Sequence, residues 1–206
     1  MVTLRGIKIS LYPPPAVRGI VFSSGGALYI ENCVVEGPNE GIDIFPFGFT
    51  GDVRVFIRDT VTSNSGDGIR VLRHTASSVL VQIERSSMEG NYVGLNVGDG
   101  AAATARGCAM VRNRIQGVGV GGATGTFLPR PTELTIEDGL ISGNDTGIGA
   151  NNTNVTVRVS HCTITDNQFG LSGFGGPFAV QVLTRGNNTL EANTINGTFT
   201  GVYTAK

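Results

Sequence analysis

The sequence predicts an all-β fold in which parallel strands stack into a solenoid. Three observations support this prediction. A unit of four residues, glycine followed by an apolar residue, a variable residue and an apolar or small residue, recurs along the chain. Segments of alternating apolar residues precede the later copies of this unit, and alternation indicates strands. The sequence also lacks the i, i+3, i+4, i+7 apolar spacing of a helix, so very little helix is expected.

The glycine units follow one another at intervals of 22, 27, 26, 23, 30, 23 and 31 residues. Within each interval the order is constant: an alternating strand, a corner, a short strand, a turn with asparagine, the glycine strand and a variable loop. This constant order favours a solenoid over an antiparallel sandwich, because equivalent residues recur once per coil and stack about 4.8 Å apart. The glycines that open the units are Gly19, Gly41, Gly68, Gly94, Gly117, Gly147, Gly170 and Gly201.

Three segments, "LYIENCVVEG", "LTIEDGLISGNDTGI" and "VRVSHCTITDNQFGL", resemble the right-handed parallel β-helix repeats of the pectin-lyase-like superfamily. The resemblance covers nearly the whole chain. It implies one domain, residues 1–206, built as a single-stranded right-handed parallel β-helix of about seven to eight coils. It implies no single activity, because the superfamily contains lyases, hydrolases, esterases, phage tailspikes and adhesins.

An asparagine recurs at the same distance from the corner in four consecutive coils. Asparagine tolerates the left-handed backbone of a sharp turn, and its amide can donate to and accept from the asparagine of the next coil. The pattern therefore predicts an internal asparagine ladder that stabilises the scaffold, as the superfamily resemblance also implies. The predicted members are Asn91, Asn113, Asn144 and Asn167, with Asn64 one residue early.

Charges of alternating sign occupy one outward position in five consecutive coils. Opposite charges on neighbouring strands stabilise a sheet by a few tenths of a kcal/mol per pair. Carboxylates that bind metal or perform catalysis would instead be brought together. We therefore interpret this row as structural. Its members are Glu31, Arg58, Glu84, Arg106 and Glu137.

The glycine strands place three polar residues, Asp43, Arg70 and Asn96, in neighbouring coils on one flat face. Such a face suits sugar hydroxyl groups. Two interpretations remain open: a solvated strand face with one ion pair, or an enzyme site with Asp43 and Arg70 as its catalytic candidates. Calcium-dependent pectate lyases of the superfamily use several acidic residues near an arginine, and this face has too few carboxylates to hold a cation. We expect no metal and no cofactor.

An aromatic loop, "IFPFGFTGD", supplies the candidate binding residues Phe45, Phe47 and Phe49. The corresponding loop of the next coil, "VLRHTASS", adds Arg73 and His74, and Asn96 completes the candidate binding set. Three exposed phenylalanines are costly in water, so the loop either packs against the solenoid or forms a binding platform. Two longer loops, residues 121–134 and 173–188, are expected to share the same edge, where a scaffold often carries its function.

The net charge and the length of the apolar runs argue against two kinds of partner. The net charge of −1 gives no reason to expect nucleic acid, and no apolar run approaches the roughly 20 residues that would insert into a membrane.

Cys33, Cys108 and Cys162 share one inward position in separate coils, which is too far apart for disulfides, so we expect buried free thiols. The style of the sequence is bacterial, and the start "MVTLRGIKIS" lacks the apolar core of a signal peptide.

Three functional hypotheses follow. The first is a non-catalytic repeat scaffold, secreted or at the cell surface, that presents its sheet face and loops to a carbohydrate or protein partner. The second is a polysaccharide-active enzyme, a lyase in preference to a hydrolase. The third is a self-assembly module, because the two open ends of a solenoid allow copies to stack as homo-oligomers.

Overall fold

The computed structural model describes residues 1–11, 17–76, 78–122, 130–152, 154–173 and 180–204. These residues form 24 strands. In chain order the strands are β1 (Val2–Arg5), β2 (Lys8–Ser10), β3 (Arg18–Phe22), β4 (Ala27–Glu31), β5 (Val34–Glu36), β6 (Glu40–Ile44), β7 (Asp52–Arg58), β8 (Val61–Ser63), β9 (Asp67–Leu72), β10 (Ser78–Glu84), β11 (Ser87–Glu89), β12 (Val93–Gly98), β13 (Ala102–Arg106), β14 (Ala109–Val111), β15 (Gln116–Gly121), β16 (Thr132–Glu137), β17 (Leu140–Ser142), β18 (Thr146–Asn151), β19 (Val155–Ser160), β20 (Thr163–Thr165), β21 (Phe169–Ser172), β22 (Val180–Thr184), β23 (Thr189–Leu190) and β24 (Gly201–Val202).

The strands form three parallel sheets, and each complete coil contributes one strand to each sheet. Sheet A contains nine strands, in the order β1-β4-β7-β10-β13-β16-β19-β22-β24. Sheet B contains eight, in the order β2-β5-β8-β11-β14-β17-β20-β23, and sheet C contains seven, β3-β6-β9-β12-β15-β18-β21. All pairings between these strands are parallel.

The fold class predicted from the sequence is confirmed: the described residues form an all-β parallel solenoid without a helix. Six full turns separate the first and last strands of sheet C, so the solenoid is slightly shorter than the seven to eight coils predicted. No helix in the described part of the chain is long and apolar enough to cross a membrane.

The core lies inside the coils and consists of stacked aliphatic side chains. In β7, for example, Val53, Val55 and Ile57 point inward and are buried, while Arg54 and Arg58 are exposed. Branched side chains favour strands, and burial of each stabilises the fold by about 1.5–3 kcal/mol. The largest fully buried side chains are Ile30, Ile42, Ile44, Ile57, Ile69, Ile83, Met88, Leu95, Met110, Leu134, Ile136 and Ile141.

The corner between sheets A and B carries an inward row of small donors. Thr60 Oγ1 donates to the Arg58 carbonyl at 2.9 Å, and Ser86 Oγ makes the same bond to the residue two positions earlier, also at 2.9 Å. Three cysteine thiols repeat this contact at 3.2–3.4 Å, and all three are buried free thiols, as the sequence predicted. Thiol and hydroxyl groups are therefore equivalent at this corner. The cysteines are Cys33, Cys108 and Cys162.

The asparagine ladder is confirmed, and it is longer than predicted. Each backbone N–H at the turn donates to the side-chain Oδ1 of the next coil, at distances of 2.8–3.0 Å. The prediction for Asn64 was wrong: this residue is exposed, has a φ of 54°, and Ser65 is the member of the ladder in its coil. The members are Ser65, Asn91, Asn113, Asn144, Asn167 and Asn193.

The alternating charges lie in register on sheet A, as predicted. Arg58 pairs with Glu31 at 2.8 Å, and Arg106 pairs with Glu137 at 2.5 Å. Arg5 extends the row by one coil and also pairs with Glu31. The arginine hydrogen bonds lower the pKa of the Glu31 carboxyl. These contacts support a structural role for the row.

Candidate functional site

The candidate site lies on the outward face of sheet C, where a glycine interrupts the alternation of inward and outward residues. In β6, Glu40 pairs with Asp67 and the next pair is Ile42 with Ile69, so the ladder skips Gly41. A Cβ at Gly41 would lie 2.5 Å from the Gly68 carbonyl oxygen, which leaves room only for glycine. Residues three apart, rather than two, therefore share the outward face.

An ion network occupies the first three strands of this face. Arg70 donates from Nε to Asp43 Oδ1 at 2.8 Å and from Nη2 to Asp43 Oδ2 at 3.0 Å. Its Nη1 lies 3.1 Å from Glu40 Oε1. From the other side, Arg18 Nε lies 3.2 Å from Asp43 Oδ2 and 3.6 Å from Glu40 Oε2. The two guanidinium groups cover Asp43 completely, so this carboxylate on the outward face is fully buried.

Asp67 is the third carboxylate of this face and has a different environment. Asn96 Nδ2 donates to Asp67 Oδ2 at 2.9 Å. Burial raises the pKa of the Asp67 carboxyl, and the hydrogen bond from Asn96 opposes that shift. The hydrogen bond to Asp43 raises the pKa of the Arg70 guanidinium. Arg70 therefore holds its proton more firmly than a free arginine does.

An uncharged amide shelf, formed by Asn96, Gln116, Gly119 and Gly149, continues the face along the next coils. Gly119 and Gly149 follow Asn96 in the outward row. A Cβ at Gly149 would lie 2.2 Å from Gln116 Nε2, and one at Gly119 would lie 2.5 Å from Gln116 Oε1. The Gln116 amide therefore lies flat over the two glycines. Glycine at these positions opens the space that the amide occupies.

An aromatic cluster of Phe45, Phe47 and His74 borders the ion network. The ring centroids of Phe47 and His74 are 4.6 Å apart, and those of Phe45 and His74 are 5.1 Å apart in an edge-on arrangement. The Phe45 centroid lies 6.0 Å from Cζ of Arg70, which joins the cluster to the network. Phe47 is 67% exposed, so the cluster presents one aromatic ring to solvent.

Comparison with known proteins agrees with this architecture. The family model described as "Right handed beta helix region" matches residues 18–195. The chain belongs to this right-handed β-helix family. No curated protein matches its sequence. Among solved structures, the crystal structure of pectate lyase Pel9A is similar to it, with a TM-score of 0.60, 13% sequence identity and coverage of 96% of this chain and 68% of that chain. This likeness concerns the fold.

The β-helix brings together some of the residues predicted from the sequence. Asp43 and Arg70 are in direct contact, Asn96 donates to Asp67 on the same face, and Phe45 adjoins Arg70. The aromatic loop and the following loop are also tied, because Thr75 Oγ1 lies within hydrogen-bond distance of the carbonyls of Pro46 and Phe49, at 3.3 and 3.2 Å. The residues that the sequence reading missed are Arg18, Glu40, Asp67 and Gln116.

Two predicted binding residues lie elsewhere in the β-helix. Phe49 is half-buried and packs against the hydrophobic core. Arg73 is buried, and its guanidinium donates to the carbonyls of Ala76 at 3.2 Å and Asp99 at 3.4 Å. Burial lowers the pKa of Arg73. The exposed aromatic surface is therefore the Phe47 ring, which is supported by Phe45 and His74. Of the two long loops predicted to share this edge, residues 123–129 and 174–179 lie outside the described residues.

Other surfaces of the β-helix carry weaker indications of a site. A depression of about 150 Å³ on sheet A is lined by the stacked rings of Tyr29 and Phe56, and by Arg58, Gln82 and Glu84. Its charged residues belong to the alternating row already described. Across the described ranges, no group of three or more His, Cys, Asp or Glu side chains is placed to hold a metal ion.

Proposed function

We propose that this β-helix protein is a non-catalytic scaffold that binds carbohydrate on the outward face of sheet C. One observation carries the proposal: the exposed Phe47 ring, packed against His74, stands beside a polar face whose charges already satisfy one another. Ligand sites typically combine aromatic surface with a few fixed polar groups. Sugars present apolar ring faces and hydroxyl groups, and this surface offers a partner for each.

The state of the ion network supports binding in preference to catalysis. A general base must release or accept a proton near the working pH. The contact with Asp43 raises the pKa of Arg70 and so opposes its deprotonation. Asp43 itself is fully buried beneath Arg18 and Arg70. The two residues that the sequence suggests for catalysis are therefore better suited to fixing the face than to transferring protons.

The test is binding of the purified protein to a panel of soluble oligosaccharides by isothermal titration calorimetry. Phe47→Ala should weaken binding about tenfold, since an aromatic contact contributes on the order of 1 kcal/mol beyond its buried area. Tyr92→Ala is the matched control, because Tyr92 is 46% exposed and lies on another ridge, against Arg114. Absence of binding to every sugar, or equal losses in both variants, would contradict the proposal.

A second candidate function is polysaccharide cleavage, which two observations favour. The similar fold of a pectate lyase is one, and the other is Asp67, a half-buried carboxyl whose pKa is raised, as a general acid requires. Assays for unsaturated products and for new reducing ends, on the same panel, distinguish lyase from hydrolase activity. Product formation that is lost in Asp67→Asn would replace the scaffold proposal.

A further inference from the structure

The charged residues of sheet C are confined to one end of its face, where carboxylates outnumber arginines by one. β3, β6 and β9 contain all five of them, namely two arginines and three carboxylates. β12, β15, β18 and β21 contain no charged residue. The described face therefore carries no excess of positive charge. The five residues are Arg18, Glu40, Asp43, Asp67 and Arg70.

The donors of the central arginine are directed into the protein's own carboxylates. Nε and Nη2 of Arg70 form a two-point contact with Asp43, and Nη1 contacts Glu40. A bidentate fork of this kind is the arrangement by which arginine would otherwise recognise a carboxylate on a ligand. Arg70 is only 19% exposed in its side chain, and the partly exposed Arg18 is paired with the same two carboxylates. An acidic sugar would have to displace these contacts.

The uncharged part of the face offers the complementary chemistry. Asn96 and Gln116 carry amide groups, which both donate to and accept from hydroxyl groups. Gln116 is held flat over Gly119 and Gly149 and covers them, so its amide forms the surface at these two positions. Ser172 supplies a hydroxyl in the last strand of the same outward row. These groups lie on the same sheet face as the ion network, which the aromatic cluster borders at Arg70.

We infer that the ligand class of this face is a neutral glycan, and that acidic glycans are disfavoured; the inference rests on the proposed carbohydrate binding. The paired arginines fix the charged end of the face and leave recognition to amides, hydroxyls and one aromatic ring. The same pairing makes the preference adjustable, because loss of one carboxylate would leave two arginines against two carboxylates and so remove the negative excess of the face.

The experiment compares cello-, manno- and xylo-oligosaccharides with oligogalacturonate of equal length by titration calorimetry at low ionic strength. At least one neutral ligand should bind about tenfold or more tightly than oligogalacturonate. Glu40→Gln should strengthen oligogalacturonate binding about fivefold, because it removes one unit of negative charge near the ligand. Glu133→Gln is the matched control, since Glu133 is on sheet A, pairs with Arg158 and is 45% exposed. Thermal unfolding verifies that each variant is folded.

The possible outcomes test the preference for neutral glycans separately from carbohydrate binding itself. Tighter binding of oligogalacturonate than of every neutral ligand, weakened by Phe47→Ala, would overturn the neutral preference and retain the carbohydrate site. An equal gain in Glu40→Gln and Glu133→Gln would also overturn the inference, because net charge rather than this face would then control binding. No binding of any glycan would overturn both.

Discussion

Replacement of Arg70 by Met tests whether the ion network is part of the scaffold. The substitution keeps a long side chain and leaves Asp43, which is fully buried, with Arg18 at 3.2 Å as its remaining arginine. Removal of one partner from a buried ion pair costs about 3–5 kcal/mol, because the other charge stays buried. Since Arg18 remains, we expect the lower end, about 3 kcal/mol. For a chain of this size that loss corresponds to a fall in Tm of about 6–12 °C.

A double-mutant cycle isolates the contact. Asp43→Asn combined with Arg70→Met removes both charges, so the double variant should be more stable than the sum of the single losses predicts, with a coupling of about 2 kcal/mol. Urea unfolding followed by circular dichroism gives the four free energies. Arg58→Met is the control, because Arg58 is 49% exposed and its partner Glu31 retains Arg5; its expected cost is about 0–1 kcal/mol.

A coupling below about 0.5 kcal/mol would refute this reasoning. Asp43 and Arg70 would then behave as a surface pair, and their side chains would be available to a ligand at little cost. That result would restore Arg70 as a candidate for substrate contact and would favour the enzyme hypothesis.

Two further predictions concern the ladder and Asp67. Asn144→Ala removes the acceptor for two donors of Asn113 and the donor to the Met110 carbonyl, so at least two buried polar groups lose their partners. The free energy of unfolding, measured in urea, should fall by about 2–6 kcal/mol. The control is Asn39→Ala, at an exposed turn, which should change that free energy by no more than about 0.5 kcal/mol. The raised pKa of Asp67 gives a favourable contribution that is complete below its ordinary value of 3.8 and is lost as pH rises through the higher folded value. Asp67→Asn should therefore become more stable relative to the wild type as pH rises above 3.8, and a difference that stays constant with pH would contradict the assignment.

The stacking of coils could be read from the sequence because its signal is periodic. Glu31, Arg58 and Glu84 recur at the same place in each repeat, and the structure pairs them in register. Period and burial act together here, since a shift of one residue would place charges in the core. The same logic located Asn91 and Asn113 in the ladder.

The composition of the site could not be read in the same way. Strict alternation from Asp43 places Gly41 outward and Glu40 inward, whereas the ladder skips Gly41 and turns Glu40 onto the face. The cause is the close approach of the Gly68 carbonyl, which is a contact between coils and not a property of one segment. The prediction for Asn64 failed for a related reason. Membership of the ladder depends on the position of the backbone N–H, and it is the N–H of Ser65, not that of Asn64, that donates to Asn91.

The row of thiols at the corner gives the molecule three internal reporters of coil opening. Cys33, Cys108 and Cys162 directly follow β4, β13 and β19, and burial raises the pKa of Cys108 and raises that of Cys162 to about 11. A thiol reagent at neutral pH reaches such groups only after local separation of strands. Labelling in the order of position along the axis would reveal fraying from one end, whereas equal rates at all three would identify the solenoid as one cooperative unit.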